Sequence, residues 1–307
     1  MALAVSASSP SPPPLHVDSS QPPFRICLSG GWLDQPWVSS IAPGSVIVIN
    51  IQPTVDFNLR SGMATSSRAL WLGELWDKRV MHSDPLRLAR LLFGFENPPG
   101  TPSNRISGSQ DHIGLALPGV SRLDYAGHHW PAHIERDVSL ESARWLEAHL
   151  ALVELSARPV GYDPLSVQHI TKEGVQALAL SAAQSWEGIQ KRDATLLGNG
   201  VRGTHDAWRA LLPHTTSAEI DAILRSYDDR ALGASTSGCG GGYLILVLDG
   251  SAESWKAIPG SIRIRVRTEM DDCAQWSFRN QPTAAADAPG CLVDKPAVDL
   301  TTQLRNH

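Results

Sequence analysis

The chain has 307 residues, 42% of them hydrophobic, and a formal net charge of −5 from 26 Lys and Arg against 31 Asp and Glu. That length holds one large domain or two modest ones with ample core. The acidic balance and the lack of any Lys/Arg run argue against a nucleic-acid partner, and no apolar stretch approaches bilayer-crossing length.

Residues 1–23 are rich in Ser, Ala and Pro and nearly uncharged, so they are expected to form a disordered extension. They lack the basic start and long apolar run of a signal peptide. Order is expected to begin with a strand over residues 24–28, followed by the paired glycines Gly30 and Gly31, then Trp32 and, on the exposed turn, Asp34. A second strand is expected over residues 46–51. After it comes a polar loop, Gly62-Met63-Ala64-Thr65-Ser66-Ser67, entering a helix whose apolar residues continue to Trp76. Backbone N–H groups, three consecutive hydroxyls and the positive end of a helix dipole make a phosphate seat there; an ordinary Ser/Thr N-cap is the alternative.

A helix over residues 84–95 ends at the breaker cluster Asn97-Pro98-Pro99-Gly100. The stretch from Ser107 to Gly114 is expected to be a polar, glycine-flanked loop. Strands follow at residues 122–125 and 149–155, and helices at 172–189, 204–212 and 217–227. A glycine-rich stretch from Leu232 to Tyr243 runs into a doubly buried strand at 244–248. Residues 262–266 alternate as a half-exposed strand does. From residue 281 the chain is Ala/Pro-rich and expected to be a loose tail. The coarse class is α+β, without internal repeats.

The four cysteines, Cys27, Cys239, Cys273 and Cys291, have no C-x-x-C spacing. Neither a zinc site nor a disulfide framework is signalled, and a cytoplasmic compartment is expected. His128, His129 and His133 have ligand-like spacing but lack a carboxylate or cysteine to complete a set.

Three loops in this order resemble the GHMP kinase superfamily, which includes galactokinase, homoserine kinase and mevalonate kinase. The strand-and-turn from Phe24 to Asp34, with its Gly-Gly-Trp-x-Asp form, is similar to the first motif and closest to the heptose and fucose kinase branch. Residues Gly62 to Ser67 resemble the phosphate loop, with Ala64 in place of a glycine and Arg68 where a small residue is usual. The turn from Gly233 to Tyr243 is similar to the third motif. Gly108-Ser109-Gln110-Asp111-His112 resembles the Asp-Gln element of the sugar-kinase branch. The resemblance covers residues 24 to 249.

The resemblance implies a two-lobed fold: an N-terminal mixed α/β lobe at residues 24–145 and a C-terminal ferredoxin-like lobe at 146–280. The N-terminal lobe is shortened, because only residues 35–61 separate the first two motifs. It also implies an ATP- and Mg²⁺-dependent kinase acting on a hydroxyl of a sugar or sugar phosphate. A non-catalytic sugar- or nucleotide-binding protein is the alternative, since the missing region normally helps to enclose the base. A homodimer is compatible with either.

By this resemblance Asp111 is the base, with Arg25 beside it to counter phosphate charge. Gly62, Met63, Ala64, Thr65, Ser66 and Ser67 hold the nucleotide phosphates. Ser66 and Glu96 hold the metal, with Glu74 as a second carboxylate candidate. Asp34, Gly30, Gly31, Trp32, His112, Gly238, Gly240 and Gly241 contact the substrate. Arg68 is either a solvent-facing helix residue or added positive charge at the phosphates. Trp32 and Trp37 either stack on a sugar face or pack in the core.

Overall fold

The computed structural model describes residues 21–57, 61–76 and 84–268. The extension up to residue 20, the tail from residue 281, and Cys273 and Cys291 lie outside the described residues.

In chain order the elements are β1 (Phe24–Ser29), α1 (Pro36–Ser39), β2 (Gly44–Ile51), α2 (Thr65–Leu70), α3 (Pro85–Glu96), α4 (Gln110–Ala116), β3 (Val120–Tyr125) and β4 (His133–Asp137). Then come α5 (Leu140–His149), β5 (Leu150–Glu154), α6 (Lys172–Lys191), α7 (Ala194–Leu211), α8 (Ala218–Arg225), β6 (Gly233–Thr236), β7 (Tyr243–Val247), α9 (Ala252–Lys256) and β8 (Ile262–Arg263). Helix α2 continues as a π-helical segment over Trp71–Trp76.

The strands form two antiparallel sheets, ordered β1-β2-β3-β4 and β6-β7-β5-β8. The apolar runs are explained by burial on both faces. In β2, Val46 and Val48 face one core with α3 and α4, while Ile47, Ile49 and Ile51 face another. In β7, Tyr243, Ile245 and Val247 share that second core with β1, β2, α6 and α7; Leu244 and Leu246 turn to a third, under α8. Side chains alternate across a strand, so successive residues of such a run fill different cores. The second core therefore joins both sheets to α6 and α7.

Several elements differ from expectation. The stretch expected as a loop from Ser107 to Gly114 contains α4, so Asp111 sits in a first helical turn. Helix α7 starts at Ala194 rather than 204. Its early glycines, poor helix formers, make room for close packing: a Cβ on Gly200 would lie 2.3 Å from Ser185 Oγ of α6, and one on Gly198 2.7 Å from the Leu232 carbonyl. Strand β4 and helices α5 and α9 are additional elements. The 262–266 strand reduces to the two residues of β8 and a single bridge, Ile51 to Val266. Between Asp34 and Gly62 the described chain has only α1 and β2, in keeping with a shortened lobe. Among the described residues no helix is long and apolar enough to cross a membrane.

Candidate active site

Strand β1 carries a bulge between Cys27 and Ser29 against β2, the kind of irregularity that re-aims a chain at a sheet end. It delivers the Gly30-Gly31 turn to the mouth of a cavity of about 410 Å³. Trp208 Nε1 of α7 donates to the Gly31 carbonyl at 2.9 Å and anchors that turn. Gly31, Trp32, Asp34 and Trp37 line the cavity. Trp32 has a left-handed backbone, φ 82°, which costs a non-glycine residue energy and is concentrated at functional sites.

The phosphate-loop candidate forms the facing wall through Gly62, Ala64, Thr65 and Ser66. Gly62 (φ 74°) and Ala64 (φ 58°) are left-handed, so Ala64 adopts the geometry a glycine would favour. The N-cap residue of α2 is Ala64, which offers no side-chain acceptor to the leading N–H groups of the helix. Met63 is buried in the second core, contributing only its carbonyl, which accepts from Arg25 N at 3.5 Å. Ser67 is buried away from the cavity and donates to Glu96.

The third loop closes on this one backbone to backbone. A Cβ on Gly62 would lie 2.5 Å from Gly238 Cα, and Ser237 Oγ donates to the Ser61 carbonyl at 2.6 Å. Gly238 lines the cavity. Gly240 and Gly241 do not; they pack under Tyr162 and the Ser156 carbonyl. Gly30 likewise sits against the Ser45 carbonyl. These three glycines shape their loops rather than the cavity wall.

Asp111 projects from the first turn of α4 into the cavity and is ion-paired to Arg25 Nη2. Arg25 is 4% exposed. Asp34 lies alongside, 2% exposed and in van der Waals reach of Gly108, where any Cβ would overlap its carboxylate. Burial, reinforced by the charge of Asp111, pushes the Asp34 carboxyl up to about 7, against the pull of Arg25 and a hydrogen bond from Gln110. Expected as a hydrogen-bond acceptor, Asp34 is therefore a carboxyl that can donate or accept near neutrality.

Glu96, the last residue of α3, meets Ser66 Oγ at 3.3 Å and His112 Nε2 at 2.7 Å. Burial would raise its carboxyl, but His112, Ser67 and Ser66 outweigh that and hold it below the usual range. An ionised carboxylate and a hydroxyl at the cavity edge are hard oxygen donors, the set Mg²⁺ takes together with phosphate oxygens, so the pair Ser66 and Glu96 fits that ion. Glu74 is exposed on the π-helical segment and off the cavity. His112, expected at the substrate, is fully buried instead, packed edge-on against Phe93 and turned to Glu96.

Arg68 is neither free in solvent nor on the cavity wall. It donates to the Pro22 carbonyl and the Gln21 side chain and lies 3.9 Å over the Phe24 ring. Cys27 and Cys239, by contrast, do line the cavity. Burial pushes the Cys27 thiol up to about 12 and raises Cys239 as well, which keeps both protonated. Sequence reasoning missed Arg105 and Arg158, which also line the cavity; neither lies in a motif, and only their place on the cavity wall singles them out.

This α+β architecture is the fold seen in solved kinases of the GHMP superfamily. It is similar to a D-glycero-D-manno-heptose 1-phosphate kinase from Bacteriodes thetaiotaomicron, at 13% identity and TM-score 0.54 over 80% of this chain and 95% of that one. A mevalonate kinase matches at 10% identity and TM-score 0.58, over 80% and 98%. Lactococcus lactis galactokinase complexed with galactose matches at 12% identity and TM-score 0.54, over 80% and 92%. No protein-family model and no curated protein matches the sequence.

Proposed function

We propose that the chain is an ATP-dependent kinase that phosphorylates a hydroxyl of a sugar or sugar phosphate, most like the heptose and fucose kinases. The observation that carries this is the Asp111–Arg25 pair, set in one cavity with the phosphate loop and Asp34. Phosphoryl transfer asks mainly for positioning and charge stabilisation, with a group to orient the attacking hydroxyl. Asp111 takes the acceptor hydroxyl's proton as the new O–P bond forms and the bond to the departing ADP oxygen breaks. Arg25 balances the charge around it. Asp34 and the Trp32–Trp37 wall hold the sugar, its polar edge on the carboxyl and its apolar face on the rings. Ser66 and Glu96 would hold Mg²⁺, which neutralises charge on the phosphate oxygens when bound.

Phosphorus NMR of the protein with ATP, Mg²⁺ and a panel of pyranoses and heptose phosphates tests the proposal. A new sugar-phosphate resonance that is absent with Asp111→Asn supports it. Equilibrium binding of sugar or nucleotide without transfer favours a binding protein instead, the function that the short chain between Asp34 and Gly62 would suit.

A further inference from the structure

Among the described residues three guanidinium groups line the cavity, and they are not equivalent. Arg25 is committed to Asp111. Arg105 is exposed, at the end of the cavity formed by residues 105–108 beside Asp34 and Asp111. Arg158 is half-buried and pairs with no carboxylate among the described residues, and its Nε is buried without a hydrogen-bond partner. Its Nη2 rests on the seam where the two glycine loops meet. A Cβ on Gly62 would lie 2.9 Å from it, and one on Gly238 2.7 Å. The absence of side chains at both positions is what lets a guanidinium reach the start of the phosphate loop.

The segment carrying Arg158, between β5 and α6, is fastened on both sides. Gly242 N donates to the Ser156 carbonyl at 3.0 Å, Tyr162 Oη donates to the His214 carbonyl, and Ser166 Oγ meets His214 Nδ1 at 2.7 Å. Gly240 N donates to the Thr215 carbonyl at 2.8 Å, tying the third loop to the same anchor. A cation held in place beside a phosphate loop, with no counter-charge among the described residues and an unfilled donor, suits an oxyanion ligand.

We propose that Arg158 is a donor-phosphate ligand of this cavity, binding the polyphosphate of ATP across the Gly62–Gly238 seam; this rests on the kinase function proposed above. The guanidinium then stabilises the charge that builds on the phosphate oxygens during transfer, as an arginine supplied from outside a phosphate loop does in other phosphotransferases.

The test measures binding as well as turnover. Quenching of tryptophan fluorescence (Trp32, Trp37 and Trp208 line the cavity) is titrated with Mg·ATP and with Mg·tripolyphosphate for the wild type, Arg158→Gln and Arg158→Lys. Loss of a charge-assisted phosphate contact weakens both ligands alike, by about 10- to 100-fold in the glutamine variant. The lysine variant falls between, since it keeps the charge and loses the fork. Unchanged binding of both ligands by a folded Arg158→Gln protein overturns the inference, and so does weakening of ATP with tripolyphosphate unaffected. Loss of binding in Arg158→Gln beside a wild type that binds ATP but transfers phosphate to no acceptor upholds the inference and overturns the kinase function. A wild type that binds neither ligand overturns both.

Discussion

Arg25 of β1 and Asp111 of α4, 86 positions apart, are ion-paired in the cavity, and Gly114 one turn further along α4 makes the approach feasible. A Cβ at Gly114 would lie 2.3 Å from Arg25 Cγ, so the arginine passes beneath the helix only because glycine is there. The guanidinium also reaches the Gly62 carbonyl at 3.5 Å, linking Asp111 and the Gly62–Ser67 loop through one side chain.

Asp111→Asn keeps the shape of this pair and removes the proton acceptor. Turnover is expected to fall by about 10²–10⁴-fold with a circular-dichroism melting curve close to wild type. Steady-state kinetics on the acceptor identified by NMR measures it, and full activity would take Asp111 out of the chemistry.

Asp34 gives a pH signature. Unfolded, it ionises near the ordinary 3.8, whereas folded it stays protonated up to about 7. A raised carboxyl costs stability where only the unfolded chain is ionised, so the wild type loses stability as pH climbs from 3.8 to about 7 and levels off above. Holding the proton over that whole range corresponds to about 4 kcal/mol. Urea melts across it should show the decline in wild type and its absence in Asp34→Asn. The kcat/KM for acceptor should bend near pH 7 in the wild type only.

Glu96 titrates the other way. Its folded value lies below the ordinary 4.5, so its stabilising contribution is complete above that pH and is lost as pH falls through the folded value. Glu96→Gln weakens the contact with buried His112 and is expected to cost about 1–3 kcal/mol at neutral pH, a difference that narrows in acid. If Glu96 also holds the metal, the Mg²⁺ concentration for half-maximal activity rises in the same variant. Destabilisation without any Mg²⁺ effect would confine Glu96 to supporting His112.

Gly62→Ala tests the seam between the loops. A left-handed φ costs an alanine about 1–2 kcal/mol, and the methyl would meet Gly238 Cα at 2.5 Å. Melting temperature should drop and ATP-dependent fluorescence quenching should vanish; an alanine variant with wild-type quenching would show that the loops need not touch.

Much of the site is legible in the sequence because its chemistry is local. The Gly30–Asp34 turn and the Gly62–Ser67 loop stand out by residue type, the family resemblance singles out Asp111, and members of all three line one cavity. Helix α4 is not legible: its polar first turn and two flanking glycines read as loop, although Ile113, Leu115 and Ala116 bury against the first core. For α5 a helix-start signal does exist, in the cap Ser139 with Glu141 in the first turn. His112 cannot be placed by its adjacency to Asp111, because neighbours in sequence point to different sides of a helix; it turns to Glu96 and not to the cavity.

By itself the sequence determined the apolar strands and the order of the three loops, since each depends on neighbours a few positions away, and the resemblance those loops carry picked out Asp111. Only the tertiary structure decided that Arg68 is stacked on Phe24, that Asp34 is buried enough to hold its proton, and that Arg158 arrives over Gly62 and Gly238. Those outcomes turn on burial and on charges brought together from distant positions, and both come into being only when the chain closes on itself.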